Sequence, residues 1–312
     1  MSTPIAIAAD RSPLTASIPV LTSTVPSQYV HRAAIAEVLL TSWSAEAPES
    51  FSVTAQWPRC HSFYTPVAGH RCQDPMLGAE TVRQAGLLLA HAEFGVPLGH
   101  QFLVSELSFE TTPEALRVSS TPTDLELQVT CHDIVRRGDR LSGMRYEVQF
   151  LRDGVIAGSG QAKYTCTSPA VYRRLRADRD LGPLPQLDPE CPVAVGRTDA
   201  RDVVVTPYDD GFRQLRVDLA HPALFDHPLD HVPGMLLLEA ARQAALAASF
   251  PESVLPVALD IQFLRYAELD QPCVITTARG QTGDDGRTPI EVTASQEGEA
   301  VFTSTVTVQP VD

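Results

Sequence analysis

Lysine is almost absent from this 312-residue chain: Lys163 stands alone among 24 basic residues, and the other 23 are arginine. Schiff-base chemistry therefore has almost nothing to work with, and an anion bound here meets guanidinium groups, whose planar fork suits phosphate and carboxylate. Long apolar runs are missing too. Leu87-Leu88-Leu89-Ala90 and Met235-Leu236-Leu237-Leu238 are among the longest, far short of the roughly 20 residues that cross a bilayer. The short run Ile5 to Ala9 follows no basic segment and is broken by Asp10 and Arg11, so it does not read as a signal peptide and a cytoplasmic protein is expected. No C-x-x-C pair occurs among Cys60, Cys72, Cys131, Cys166, Cys191 and Cys273, a pattern of reduced, mostly buried thiols. Cys60, His61, His70 and Cys72 share a loop but match no common zinc spacing, and no metal is expected. Without a G-x-G-x-x-G or G-K-S/T run, nucleotide binding is unsupported, and no cofactor is expected. The net charge of −14 disfavours nucleic acid as a partner.

What is present is a globular composition, 44% hydrophobic and 20% charged, over a length that fits two domains of about 150 residues each. The chain also repeats itself. Asp74-Pro-Met-Leu-Gly-Ala-Glu80-Thr-Val-Arg83-Gln84-Ala85 and Pro233-Gly-Met-Leu-Leu-Leu-Glu239-Ala-Ala-Arg242-Gln243-Ala244 share Met-Leu and Glu-x-x-Arg-Gln-Ala at a constant offset of 159. Downstream, Glu106-Leu-Ser-Phe109 matches Asp260-Ile-Gln-Phe263 after a connection five residues shorter. A charged, then proline-rich stretch from Tyr172 to Pro189 reads as a linker. The expected division is 28–170, a linker over 171–190, and 191–310, with the boundary near 180.

Each repeated segment reads as a helix. Asp74 and Pro75 open the first and Gly95 follows it; Pro233 and Gly234 open the second and Pro251 closes it. The first is apolar or small nearly all round, so it must be buried on most sides. Period-two alternation follows, in Leu125–Cys131, Met144–Phe150 and Val155–Thr165 around the Arg152-Asp-Gly154 turn, then in Cys273–Arg279, Ile290–Ser295 and Ala300–Val308. Strands at Phe51–Gln56 and Phe212–Leu219 precede the helices. The reading is α+β: a tandem (double) hotdog, two antiparallel sheets each wrapped around a central helix, together a pseudo-dimer.

Glu80 and Arg83 share one face of a helix that should be enclosed, as do Glu239 and Arg242. Buried charges need a structural partner or a cavity with a task. An intrahelical ion pair in each copy is one reading. The other is catalytic: a glutamate whose pKa burial raises acts as a base, with Glu80 preferred. In that reading Arg242 reaches across the interface to Glu80 and binds an anionic substrate, Arg83 and Glu239 being the duplicates. Helix-terminal amides at Met76–Gly78 or Gly234–Met235 supply donors for an oxyanion.

The stretch His221-Pro-Ala-Leu-Phe-Asp-His227-Pro-Leu-Asp-His231-Val-Pro-Gly234 followed by Glu239 resembles the signature of hotdog 3-hydroxyacyl-ACP dehydratases, with a longer loop and an added arginine. Together with Gln56-Trp-Pro-Arg59-Cys-His61-Ser-Phe-Tyr64 and Ala79–His91, it resembles the A-factor biosynthesis (AfsA-type) family over residues 28 to 310. That resemblance implies acyl transfer from a 3-oxoacyl-ACP to dihydroxyacetone phosphate, giving a phosphorylated ester that cyclises toward a γ-butyrolactone, butenolide or furan signal. Substrate-binding candidates are His227, His231, Arg59, His61 and Gly234; His91 reads as a packing residue. An acidic acyl carrier protein needs a basic patch, for which Arg136, Arg137 and Arg140, or Arg173, Arg174, Arg176 and Arg179, qualify. A thioesterase or dehydratase and a non-catalytic acyl-binding module are the alternatives, and association into a homo-oligomer is left open.

Overall fold

The computed structural model describes residues 22–67, 69, 71–176 and 184–311. Its first half runs β1 (Leu40–Ala47), β2 (Ser50–Trp57), α1 (Met76–Ala92), β3 (Gln101–Thr111), β4 (Thr123–Arg137), β5 (Arg140–Arg152), β6 (Val155–Thr167) and the short helix α2 (Pro169–Arg176). The second runs β7 (Val205–Pro207), β8 (Arg213–Leu215), α3 (Gly234–Ser249), β9 (Val254–Phe263), β10 (Val274–Arg279), β11 (Thr288–Gln296) and β12 (Glu299–Pro310). Both halves place their strands in the same spatial order around a helix. They do not form separate sheets, however. β3 pairs with β9, giving one twelve-stranded antiparallel sheet in the order β1-β2-β4-β5-β6-β3-β9-β12-β11-β10-β8-β7.

The register at that seam locates the internal symmetry. Leu107 lies opposite Ile261, its own counterpart in the repeated Glu106–Phe109 and Asp260–Phe263 segments, with Glu106 opposite Gln262 and Ser108 opposite Asp260. An axis of pseudo-two-fold symmetry therefore passes between Leu107 and Ile261, and the duplicated chain makes the isologous contact of a homodimer.

Helix ends follow from their residues. An Asp74 side-chain oxygen accepts the Met76 amide at 3.0 Å and its carbonyl accepts the Leu77 amide. Gly95, at φ +67°, turns the chain after α1 while Phe94 and Val96 donate to Leu89 and Ala90. Every residue of α1 is buried except Arg83 and Ala92. Packing that close requires glycine: a Cβ on Gly86 would stand 2.3 Å from the Tyr146 ring, whose hydroxyl donates to the Val82 carbonyl. Gly86→Ala should cost about 1–3 kcal/mol by overpacking. A urea midpoint equal to that of the parent would show that the sheet yields freely there.

Two expectations are corrected. The strand expected at Phe212–Leu219 is only Arg213–Leu215, because the chain turns away after Leu215, with Arg216 donating to Val204 and His221 to Asp218. The expected linker at 171–190 begins as helix α2, which is docked and not free. Arg176 is buried beneath the Tyr266 ring at 4.4 Å and holds Glu268 and Asp230 at 2.7 and 3.1 Å. Arg179 lies outside the described residues.

Candidate active site

Glu80 is fully buried and carries two guanidinium groups. Arg83, one turn on, donates to both oxygens at 2.8 and 2.7 Å; Arg32, from the segment before β1, donates at 3.0 and 2.8 Å; Gln84 donates at 2.7 Å. The second half repeats this arrangement, with Arg242, Arg197 and Gln243 on Glu239. Even the outer contacts are duplicated. Gln84 also joins the Leu39 amide to the Glu37 carbonyl, as Gln243 joins Val204 to Asp202. His61 accepts the amides of Phe63 and Tyr64 on Nδ1 and faces Glu37 at 3.3 Å, as His221 accepts Ala223 and Leu224 and faces Asp202 at 3.3 Å.

These contacts correct two expectations about the charged groups. Arg242 does not reach Glu80; each glutamate is held by arginines of its own half, because the i, i+3 spacing closes the pair within one helix turn. The halves interlock through main-chain carbonyls instead, with Arg32 donating to Ala223 and Arg197 to Phe63. Nor is the Glu80 carboxyl raised. Burial pushes it up, but Arg32, Arg83 and their hydrogen bonds outweigh burial and lower it to about 2. Glu239 is lowered to about 2 by Arg197 and Arg242 in the same way. Both are fixed anions that orient guanidinium groups, and with their oxygens engaged by arginine and glutamine donors neither is placed to take a proton from an alcohol.

One residue breaks the equivalence of the two clusters. In the second cluster Asp74, from the first half, uses one oxygen to cap α1 and the other to accept from Arg197 at 3.1 Å. Phe63 covers the Arg197 guanidinium at 4.2 Å, and Arg242 is fully enclosed with its Nη1 unpartnered. At the position of Asp74 the second half has Pro233, which has no carboxylate to accept from Arg32 and no side-chain oxygen to cap α3. The Glu80 cluster is therefore open. The Arg83 side chain is 19% exposed, and its Nη1 has no hydrogen-bond partner among the described residues.

The second half's loop forms the rim of that opening. Asp226 accepts the amides of Ala33 and Ala34 at 2.6 and 3.0 Å, which holds the loop beside Arg32, and half-exposed His227 follows it. Burial lowers the His227 pKa, with Arg32 and Arg83 lowering it further against the opposing pull of Asp226. Of the two helix starts, the α1 amides are taken: Met76 and Leu77 by Asp74 and Gly78 by Pro75. The Gly234 and Met235 amides have no partner among the described residues.

Other candidates fall elsewhere. His61 is corrected from a phosphate contact to a structural group, since both its nitrogens are engaged within the loop. His231 is bonded to Asp230 at 2.7 Å and packed on Tyr266, in the α2 contact. Arg59 is exposed beyond the end of β2. His91 is packed as expected and donates to the Val96 carbonyl at 2.7 Å, but its second nitrogen holds His31. Arg176 is withdrawn from the docking patch by its burial; Arg173 and Arg174 remain exposed. Two surface clefts, one by Phe94 and Arg136 and one by Leu184 and Pro272, touch none of the four charged groups.

Comparison with known proteins settles the family. The model of the A-factor biosynthesis hotdog domain (AfsA) matches residues 15–168 and again 184–312. The chain belongs to the AfsA family. Among family relatives, proteins named 2-oxo-3-(phosphooxy)propyl 3-oxoalkanoate synthase from Streptomyces virginiae and Streptomyces coelicolor are 52% and 41% identical to it. Each alignment covers 90% of this chain, and 96% and 90% of the relative. A solved structure of a putative oleoyl thioesterase from Lactobacillus plantarum shares the fold at a TM-score of 0.50 and 12% identity, covering 86% of this chain and 98% of that one.

The sequence reading missed Arg32, Arg197 and His31. A second repeat carries the first two: Val30-x-Arg32 with Glu37-Val38 against Val195-x-Arg197 with Asp202-Val203, offset by 165. It stands apart from the helix repeat, at a different offset, and is only legible once the helix glutamates are known to need two cations each.

Proposed function

We propose that this chain transfers a 3-oxoacyl group from a thioester to the primary hydroxyl of dihydroxyacetone phosphate, the ester named in its relatives. The observation that carries the reading is Arg83, the one charged group of α1 left partly exposed, oriented by Glu80 and with an unpartnered nitrogen at the opening between the halves. A phosphate oxygen can accept from that Nη1, since Nε and Nη2 are taken by Glu80 and the Val30 carbonyl. In this scheme Arg83 with His227 binds the phosphate and Glu80 fixes Arg83 and Arg32. The Gly234 and Met235 amides stabilise the oxyanion formed at the thioester carbonyl. Glu239 and Arg242 hold the sealed counterpart in shape. The acyl group arrives on an acidic carrier protein that docks at Arg136, Arg137 and Arg140 or at Arg173 and Arg174. The product's 3-oxoacyl methylene, flanked by two carbonyls, then condenses with the ketone to close a butenolide.

Mass spectrometry of the purified protein with a 3-oxoacyl thioester and dihydroxyacetone phosphate should detect the phosphorylated ester. Release of free thiol at the same rate without the acceptor would make the protein a thioesterase and end the transfer reading.

A further inference from the structure

His31 follows a short 3-10 turn, Ser27–Val30, at φ 52°, immediately before Arg32. Its protonation is fixed by a chain of partners. The Val96 carbonyl can only accept, so the His91 nitrogen 2.7 Å from it, Nδ1, carries the proton. His91 Nε2 is then a lone pair, and the His31 Nε2 that lies 2.9 Å from it must be the donor. This leaves His31 Nδ1 as a lone pair, with no hydrogen-bond partner among the described residues. Tyr29 stacks on His91, and Phe102 packs edge-on against both imidazoles, so the relay is held in one orientation. The equivalent position in the sealed cluster is Gly196; only the open cluster has an imidazole there.

We infer that His31 is the proton acceptor of the transfer reaction, its Nδ1 taking the proton of the acceptor hydroxyl beside the phosphate-binding Arg83. This rests on the transfer reading above. As the hydroxyl oxygen bonds to the thioester carbon, its proton moves to His31 Nδ1. When the C–S bond breaks, the proton passes to the departing sulfur, leaving ester, thiol and neutral His31. His91 is a positioning residue: it orients the ring and stabilises the transient imidazolium.

The groups facing His31 are Arg83 and His91 from α1 and His227 from the second half's loop. Burial first, then Arg83, His91 and His227, depress its pKa to about 3 in the free protein. A phosphate dianion on Arg83 opposes that positive field and raises the basicity of Nδ1 when the acceptor is in place.

The test uses the full chain with a 3-oxoacyl N-acetylcysteamine thioester and dihydroxyacetone phosphate. His31→Asn suits the left-handed backbone and should lower kcat by about 10²–10⁴ with KM for the acceptor changed less than about threefold. His31→Gly, equally suited to that backbone, should recover part of the rate with added imidazole. His91→Phe should fall less, by about tenfold, with a shifted acidic limb of the pH profile. Folded His31→Asn protein that keeps a kcat near the parent value overturns the assignment. Should the parent form no ester at all, the transfer reading fails on its own. Nitrogen NMR then decides His31 separately: the assignment requires a lone pair on Nδ1 and a pKa that rises on addition of dihydroxyacetone phosphate, and an unchanged pKa refutes it.

Discussion

Glu239→Ala is expected to lower the unfolding free energy by about 3–5 kcal/mol, one of the largest effects of any single substitution in this protein. The side chain is fully buried and is the shared acceptor for Arg197, Arg242 and Gln243. Removing it leaves two guanidinium groups in a sealed space, where Asp74 alone remains, bonded to Arg197. Arg242 then has no anion of its own, and its Nη1 is already unpartnered. Neither cation can leave, since Phe63 covers one and the other is fully buried. Urea unfolding monitored by circular dichroism gives the measurement. A loss under about 1 kcal/mol would mean that water enters the cluster freely, contrary to its enclosure.

Arg83→Ala has the opposite profile, a large loss of activity and a small loss of stability. Glu80 keeps Arg32 and Gln84 when Arg83 is removed, so the buried carboxylate is not orphaned. What disappears is the Nη1 donor facing the opening. The expected fall in kcat/KM for dihydroxyacetone phosphate is about 100-fold or more, the usual cost of truncating a charged partner of a bound anion. Arg83→Lys should recover only part of it, because an ammonium cannot hold both Glu80 oxygens and keep a separate nitrogen at the opening. Steady-state kinetics beside thermal unfolding of the same samples separates the two effects. A variant with parent kinetics would remove Arg83 from the binding of the acceptor.

Together these variants test the asymmetry that Asp74 and Pro233 impose on two otherwise duplicated clusters. Hotdog dimers build a site from the helix of one unit and a loop of the other, which is why a cross-interface pair of Arg242 and Glu80 was the expectation. The i, i+3 geometry instead satisfies each pair within its own helix, and Arg32 and Arg197 cross to carbonyls of the opposite half. Arg32 and Arg197 show the same limit. Each lies more than 40 residues from the glutamate it clamps, and no local pattern states that contact. His61 reads as a site residue in sequence because it neighbours Arg59 in a loop of mixed polarity. Its nitrogens are consumed by two amides and Glu37, a matter of where that loop folds.

The duplication, the two buried helices with their ends, most of the strands and the presence of Glu–Arg pairs where apolar side chains are the rule were all legible from residue order, because helix and strand periods and end signals act over a few residues. Folding in three dimensions decided the rest. Pairing of β3 with β9 set the halves about one axis, and a carboxylate at 74 against a proline at 233 closed one cluster and left the other open. Arginines distant in sequence then fixed both glutamates as anions, and the hydrogen-bond chain through His91 left a lone pair on His31, since a buried polar group is defined by every partner brought to it, whatever their separation along the chain.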